Sequence, residues 1–149
     1  MDFRATSRRV AERMTPESRS HIFISVSTPG SDPADLSTGP NTLGILRLWF
    51  DDLDRPPAPS TRAYFGRPIA LFTRAQARQI LDFVAAHPRA EVVVAHCDMG
   101  ASRSPAICAA LAKIYDDDDM WWFERYRPNT HVFRTLFDEH FFATGPPEA

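Results

Sequence analysis

Glu91-Val92-Val93-Val94-Ala95-His96-Cys97-Asp98-Met99-Gly100-Ala101-Ser102-Arg103-Ser104-Pro105 is the stretch that decides how this chain folds. The β-branched run Glu91–Ala95 predicts a buried strand. Pro105-Ala106-Ile107-Cys108-Ala109-Ala110-Leu111-Ala112 predicts a helix with proline in its first turn. A thiol therefore stands where a strand ends, and a loop feeds a helix N-terminus. That arrangement is suited to holding an anion beside a nucleophile.

A cysteine attacks as its thiolate. A helix N-terminus and a nearby cation both favour negative charge, and this loop offers both. Successive backbone N–H groups of a tight loop form a concave nest for anions. Gly100 stands where the chain needs a dihedral that glycine reaches cheaply. Ala101 and Ser102 are small and let backbone approach a ligand. Arg103 supplies a planar fork that matches two phosphate oxygens. Asp98, Met99, Gly100, Ala101, Ser102 and Arg103 are thus the expected phosphate-binding loop around Cys97. Ser104 is placed to donate a hydrogen bond to the sulfur and make it a better leaving group.

The run resembles the signature of the cysteine-dependent protein tyrosine phosphatases, His-Cys, five residues, Arg, then Ser or Thr. Val93 through Pro105 is most similar to the small dual-specificity branch. The resemblance implies that Cys97 is the nucleophile and Arg103 the transition-state clamp. It also implies that Ser104 assists the second step and that His96 orients the loop behind the cysteine. The reaction it implies is metal-independent hydrolysis of a phosphomonoester, with no cofactor, through a phosphoryl-cysteine. Its implied substrate is a phosphorylated protein or peptide. Phosphoinositides, nucleotides and RNA 5′-phosphates are alternatives, as is a phosphopeptide-binding role without turnover. Asp98 counts against a phosphoinositide, because lipid-directed members tend to carry basic residues in this loop. Loss of activity commonly accompanies loss of the cysteine or arginine, and both are present. Arsenate reductases and low-molecular-weight phosphatases place the cysteine near the N-terminus with the acid downstream, the reverse of the order here.

A leaving oxygen needs a proton, and a positioned carboxylic acid supplies it. The apolar run Leu43–Phe50 predicts a strand, with Asp51, Asp52 and Asp54 at its C-terminal end, where open α/β sheets bind ligands. The residues alone leave the choice among the three open. Trp49-Phe50-Asp51-Asp52 is similar to the acid-bearing segment of the small dual-specificity enzymes, and that resemblance selects Asp52. Residues 55–72 form a proline- and aromatic-rich insertion between the acid and the cysteine. Tyr64 and Phe65 within it are candidates to line a ring pocket, with plain packing as the other reading.

The rest of the chain predicts a strand over Asp2–Ala5, a helix over Ser7–Met14, a strand over His21–Ser27 and a loop over Thr28–Thr42. Thr73 and Gln76 form a capping box opening a helix to Ala86. Its apolar face is Ala77, Ile80, Leu81 and Val84. Asp116–Asp119 read as the cap of a short helix over Met120–Arg125, whose Trp121, Trp122 and Phe123 are packing residues or a partner surface. Asn129 or Thr130 caps the last helix, which carries Val132, Phe133, Leu136, Phe137 and Phe141. Cys108 reads as core, and His131 and His140 lack metal-ligand spacing. Strands alternating with helices predict an α/β fold with a mostly parallel central sheet flanked by helices on both faces. The organisation expected is one domain over 1–149. It has N-terminal elements in 1–42, a catalytic core in 43–142 and a tail in 143–149.

At 149 residues and 44% apolar content the chain is long and apolar enough for one buried core. A net charge of −2 gives no whole-chain attraction to nucleic acid or anionic membrane. No apolar run spans a membrane and no secretory signal is visible. Two cysteines make no disulfide framework, so a cytoplasmic location is expected. Lys113 is the one lysine against sixteen arginines, a composition that hints at a GC-rich bacterial genome.

Overall fold

The computed structural model describes residues 1–56, 58, 66–143 and 145. The strands are β1 (Asp2–Ser7), β2 (His21–Ser27), β3 (Thr42–Trp49) and β4 (Val92–Cys97). The helices are α1 (Arg8–Arg13), α2 (Arg74–Ala85), α3 (Arg103–Asp116), α4 (Met120–Arg125) and α5 (Thr130–Phe141). The strands form one parallel sheet in the order β1-β4-β2-β3. Every residue of β2 and β4 is buried, as expected for central strands of a sheet covered on both faces.

The two-residue period of the strands divides the core. Ile22, Ile24 and Val26 of β2 and Val93, Ala95 and Cys97 of β4 point into the larger cluster, with α2, α3 and α5. Phe23, Val92 and Val94 point the other way, onto Ala11 of α1 and onto Ala34 and Leu36 of the loop between β2 and β3. Helices therefore cover both faces, as expected. Cys97 faces α3, and its neighbour His96 is sent to the opposite face.

The Thr73 capping box forms as expected: its hydroxyl accepts from Gln76 N and the Gln76 side chain accepts from Thr73 N. Ala77, Ile80, Leu81 and Val84 are the buried face of α2. Burying a side chain such as Ile80 stabilises by about 1.5–3 kcal/mol. Glu139 of α5, also buried, binds Arg74 and Arg78 of α2 and ties the two helices together. Among the described residues, no helix is long and apolar enough to cross a membrane.

Three expectations are corrected. β4 runs two residues beyond Ala95 to include His96 and Cys97, because His96 still pairs with Thr6 and Ser25 and Cys97 with Ser7. α3 starts at Arg103, ahead of Pro105. The aspartate run is divided: Asp116 ends α3, Asp117 takes the left-handed C-cap conformation (φ 53°), and Asp119 precedes α4 without a side-chain cap bond. Lys113 pairs with Asp117 across the last turn of α3. Of the α4 aromatics Trp122 is buried, whereas Trp121 and Phe123 are exposed. Tyr64, Phe65 and most of the tail lie outside the described residues.

Candidate active site

The loop joining β4 to α3 is shaped by one close approach. Gly100 has φ +71°, and a Cβ there would lie 2.5 Å from Ser7 N and 2.6 Å from Thr6 C. Backbone of the β1–α1 junction fills the space a side chain would need. Arg8 N donates to Asp98 O at 3.3 Å and joins the loop to the same junction. The glycine is thus required twice, by dihedral and by contact.

Cys97 is 2% exposed. Ser104 N donates to its Sγ at 3.4 Å, and Ser104 Oγ lies 3.2 Å from the sulfur. Both contacts come from the first turn of α3, where unpaired N–H groups and the helix dipole favour negative charge. Ser104 Oγ also reaches Thr6 O at 3.4 Å, so the hydroxyl is fixed between sulfur and strand. Behind the cysteine, His96 is fully buried, with Nε2 2.6 Å from Ser25 Oγ. Burial lowers its pKa to about 4, so it is neutral near pH 7.

Arg103 is 5% exposed and closes the loop. Its Nη1 donates to Phe50 O at 2.8 Å and its Nη2 to Asp98 Oδ2 at 3.2 Å. Burial would raise the Asp98 pKa. The Thr28 hydroxyl and the Arg103 charge outweigh that and hold it below the ordinary value. Met99 is exposed at the loop tip, as is Ala101 beyond Gly100. Ser102 is the N-cap residue of α3 but makes no cap bond with its side chain. Its hydroxyl donates to Asp52 Oδ1 at 2.8 Å instead.

The three candidate acids separate by their partners. Asp51 is buried and bound by Arg67 at 2.7 and 3.1 Å, and it accepts from Ala70 N at 2.8 Å. The Arg67 hydrogen bonds hold its pKa below the ordinary range, so Asp51 is a fixed anion that anchors residues 67–70. Asp54 is exposed and paired with the adjacent Arg55 at 3.2 Å. Asp52 alone is carried to the cysteine loop, held by Ser102 and by Asn129 Nδ2 at 2.9 Å. Asn129 also donates to Leu53 O, and its Oδ1 caps α5 by accepting from Val132 N at 3.0 Å. Beside Asp52, a groove of about 400 Å³ runs along Ser102, Arg127 and Asn129.

The structure thus gathers Cys97, Ser104, Arg103, Asp98, Ser102 and Asp52 at the C-terminal end of the sheet. Cys108 is fully buried in the core, and burial with the nearby Cys97 pushes its thiol far up. His131 binds Phe72 O at 2.7 Å, a structural tie. Thr28 and the tethering role of Asn129 escaped the sequence reading. Thr28 stands in a Gly/Pro/Ser/Asp-rich loop with no periodic signal. Asn129 was legible as a cap, and its second side-chain atom had no reason to be assigned. No group of three or more metal-ligating side chains occurs among the described residues.

No family model and no curated relative matches the chain. Solved structures do. Human DUSP28 aligns over 92% of this chain and 90% of its own, at 16% identity and TM-score 0.50. PTPMT1 in complex with PI(5)P aligns over 93% of this chain and 90% of its own, at 14% identity and TM-score 0.53. The fold is therefore the α/β fold of the dual-specificity and tyrosine-phosphatase-type proteins.

Proposed function

We propose that the chain is a metal-independent phosphomonoester hydrolase working through a phosphoryl-cysteine, a single catalytic unit over residues 1–149. The observation that carries this is the convergence on one sulfur. Cys97 Sγ lies against the Ser104 N–H and hydroxyl at the start of α3, Arg103 closes the loop, and Asp52 is tethered to the loop through Ser102. In the first step the sulfur attacks phosphorus and the bond to the leaving oxygen breaks. Asp52 gives its proton to that oxygen, an effect typically worth about 10²–10⁴-fold in rate. Arg103 and the loop N–H groups hold the remaining phosphoryl oxygens as charge develops on them. In the second step the Asp52 carboxylate takes a proton from water as the water attacks phosphorus. The S–P bond breaks, the Ser104 hydroxyl donates to the departing thiolate, and phosphate leaves. Neutral His96 takes no part in proton transfer and holds the loop from behind.

The substrate class we favour is a phosphorylated protein or peptide, phosphotyrosine first, in a reducing compartment such as the cytoplasm, which keeps Cys97 a thiol. The similarity to PTPMT1, whose structure holds PI(5)P, favours a phosphoinositide as the second class. The Asp98 carboxylate in the loop opposes the extra phosphates such a lipid carries. Turnover of an aryl phosphate in the presence of a chelator tests the reaction. Cys97→Ser is expected to lose turnover and to keep binding tungstate, an oxyanion that mimics phosphate. A serine variant as active as the parent would overturn the covalent route. Comparing kcat/KM over phosphopeptides, phosphoinositides and nucleotides separates the substrate classes.

A further inference from the structure

The arginine of the loop is held by a residue from another part of the chain. Thr28, the first residue after β2, donates its hydroxyl proton to Asp98 Oδ2 and accepts from Arg103 Nη1 at 3.3 Å. Asp98 Oδ2 accepts in turn from Arg103 Nη2 at 3.2 Å. Thr28 and Asp98 therefore close a ring of hydrogen bonds across the two terminal nitrogens of the guanidinium, and Phe50 O takes a further Nη1 proton. Two N–H donors remain, the second on Nη2 and the one on Nε, and Nε is buried with no hydrogen-bond partner among the described residues. A guanidinium binds an oxyanion best through two parallel N–H bonds. With its end capped, the edge offered to an oxyanion is the one formed by Nε and the adjacent face of Nη2.

The geometry points to Thr28 and Asp98 as a positioning pair for the oxyanion site: they fix the rotation of the Arg103 guanidinium so that its Nε edge meets the bound oxyanion. The assignment rests on the phosphatase reading for its substrate, but the geometry itself concerns oxyanion binding. Asp98 acts through its side chain as well as through its place in the loop. Thr28 never touches the substrate. The pair behaves as one unit, because removing either member breaks the same ring.

Tungstate binding by calorimetry, measured beside kcat/KM on an aryl phosphate, tests this with Thr28→Val, Thr28→Ser, Asp98→Asn and the double variant Thr28→Val/Asp98→Asn. Thr28→Val conserves shape and removes only the hydroxyl. It is expected to weaken tungstate and lower kcat/KM by a similar factor of about tenfold. Thr28→Ser restores both, a rescue that a packing role for the threonine methyl would not produce. The double variant falls no further than the worse single variant. Thr28→Val that binds tungstate like the parent, Thr28→Ser no better than Thr28→Val, or losses that multiply in the double variant would each overturn the pair. If the parent binds tungstate and hydrolyses nothing, the phosphatase reading fails while the binding arm still decides the positioning role.

Discussion

Gly100→Ala probes the loop where its shape is most tightly set. The added Cβ would sit 2.5 Å from Ser7 N, 2.6 Å from Thr6 C and 2.8 Å from Thr6 O, all backbone atoms. Ordinary contacts lie near about 3.5–4.0 Å, so loop and β1 end must separate by roughly 1 Å. The φ of +71° adds strain of about 1–2 kcal/mol for a residue with a Cβ. Separation weakens the Arg8 N to Asp98 O bond and the last pairing of β1 with β4, at Ser7 and Cys97, about 1 kcal/mol each. The sum is a loss of about 3–4 kcal/mol, a large part of the roughly 5–15 kcal/mol of a typical domain. Displacing a catalytic loop by about 1 Å also lowers turnover by about 10²-fold. Urea unfolding and kcat/KM on an aryl phosphate measure the two effects. Gly30→Ala is the control: φ is +89° and nothing lies within 4 Å of the added Cβ. That variant carries the dihedral strain alone and keeps its activity. Gly100→Ala matching Gly30→Ala in both stability and turnover would mean that the contact with Thr6 and Ser7 does not set the loop's shape.

Asp52→Asn is expected to slow substrates with poor leaving groups by about 10²–10⁴-fold and good ones much less, read as a steeper dependence of kcat/KM on leaving-group pKa. Asp54→Asn leaves that dependence unchanged, and Asp51→Asn lowers the melting temperature by removing the charge from the Asp51–Arg67 ion pair. His96 sets an acid limit. Its folded pKa of about 4 lies below the ordinary 6.5, so the unfolded chain binds the proton first and stability falls as pH drops from about 6.5 to 4. A shift of this size corresponds to about 3 kcal/mol. His96→Asn is expected to flatten urea-unfolding stability over that window, whatever it does to stability at pH 8.

The parts of this molecule that were legible in the sequence are those written in local pattern. The alternation of β2, the capping box at Thr73 and the Cys97–Ser104 spacing each follow from residues within one or two turns of one another. The expected boundaries failed where tertiary contact extends an element. His96 belongs to β4 because strands on both sides pair there, and Cys97 because Ser7 of β1 pairs with it. The aspartate run reads as one cap but is split by a left-handed residue at Asp117, which the pattern does not encode. Asp51 and Asp52 are chemically identical neighbours. Both lie past the end of β3, where the chain bends, and their partners differ: Arg67 and Ala70 for Asp51, Ser102 and Asn129 for Asp52. Thr28 was invisible because its partners are seventy and seventy-five residues away in sequence.

On the proposed route Cys97 carries the phosphoryl group during turnover. Acid quenching of the Asp52→Asn variant during hydrolysis of an aryl phosphate, followed by intact-mass and peptide analysis, tests it most directly. One added phosphoryl group per chain, on the Cys97 peptide, is expected. Turnover with that peptide unmodified, or with the group on another residue, would contradict it.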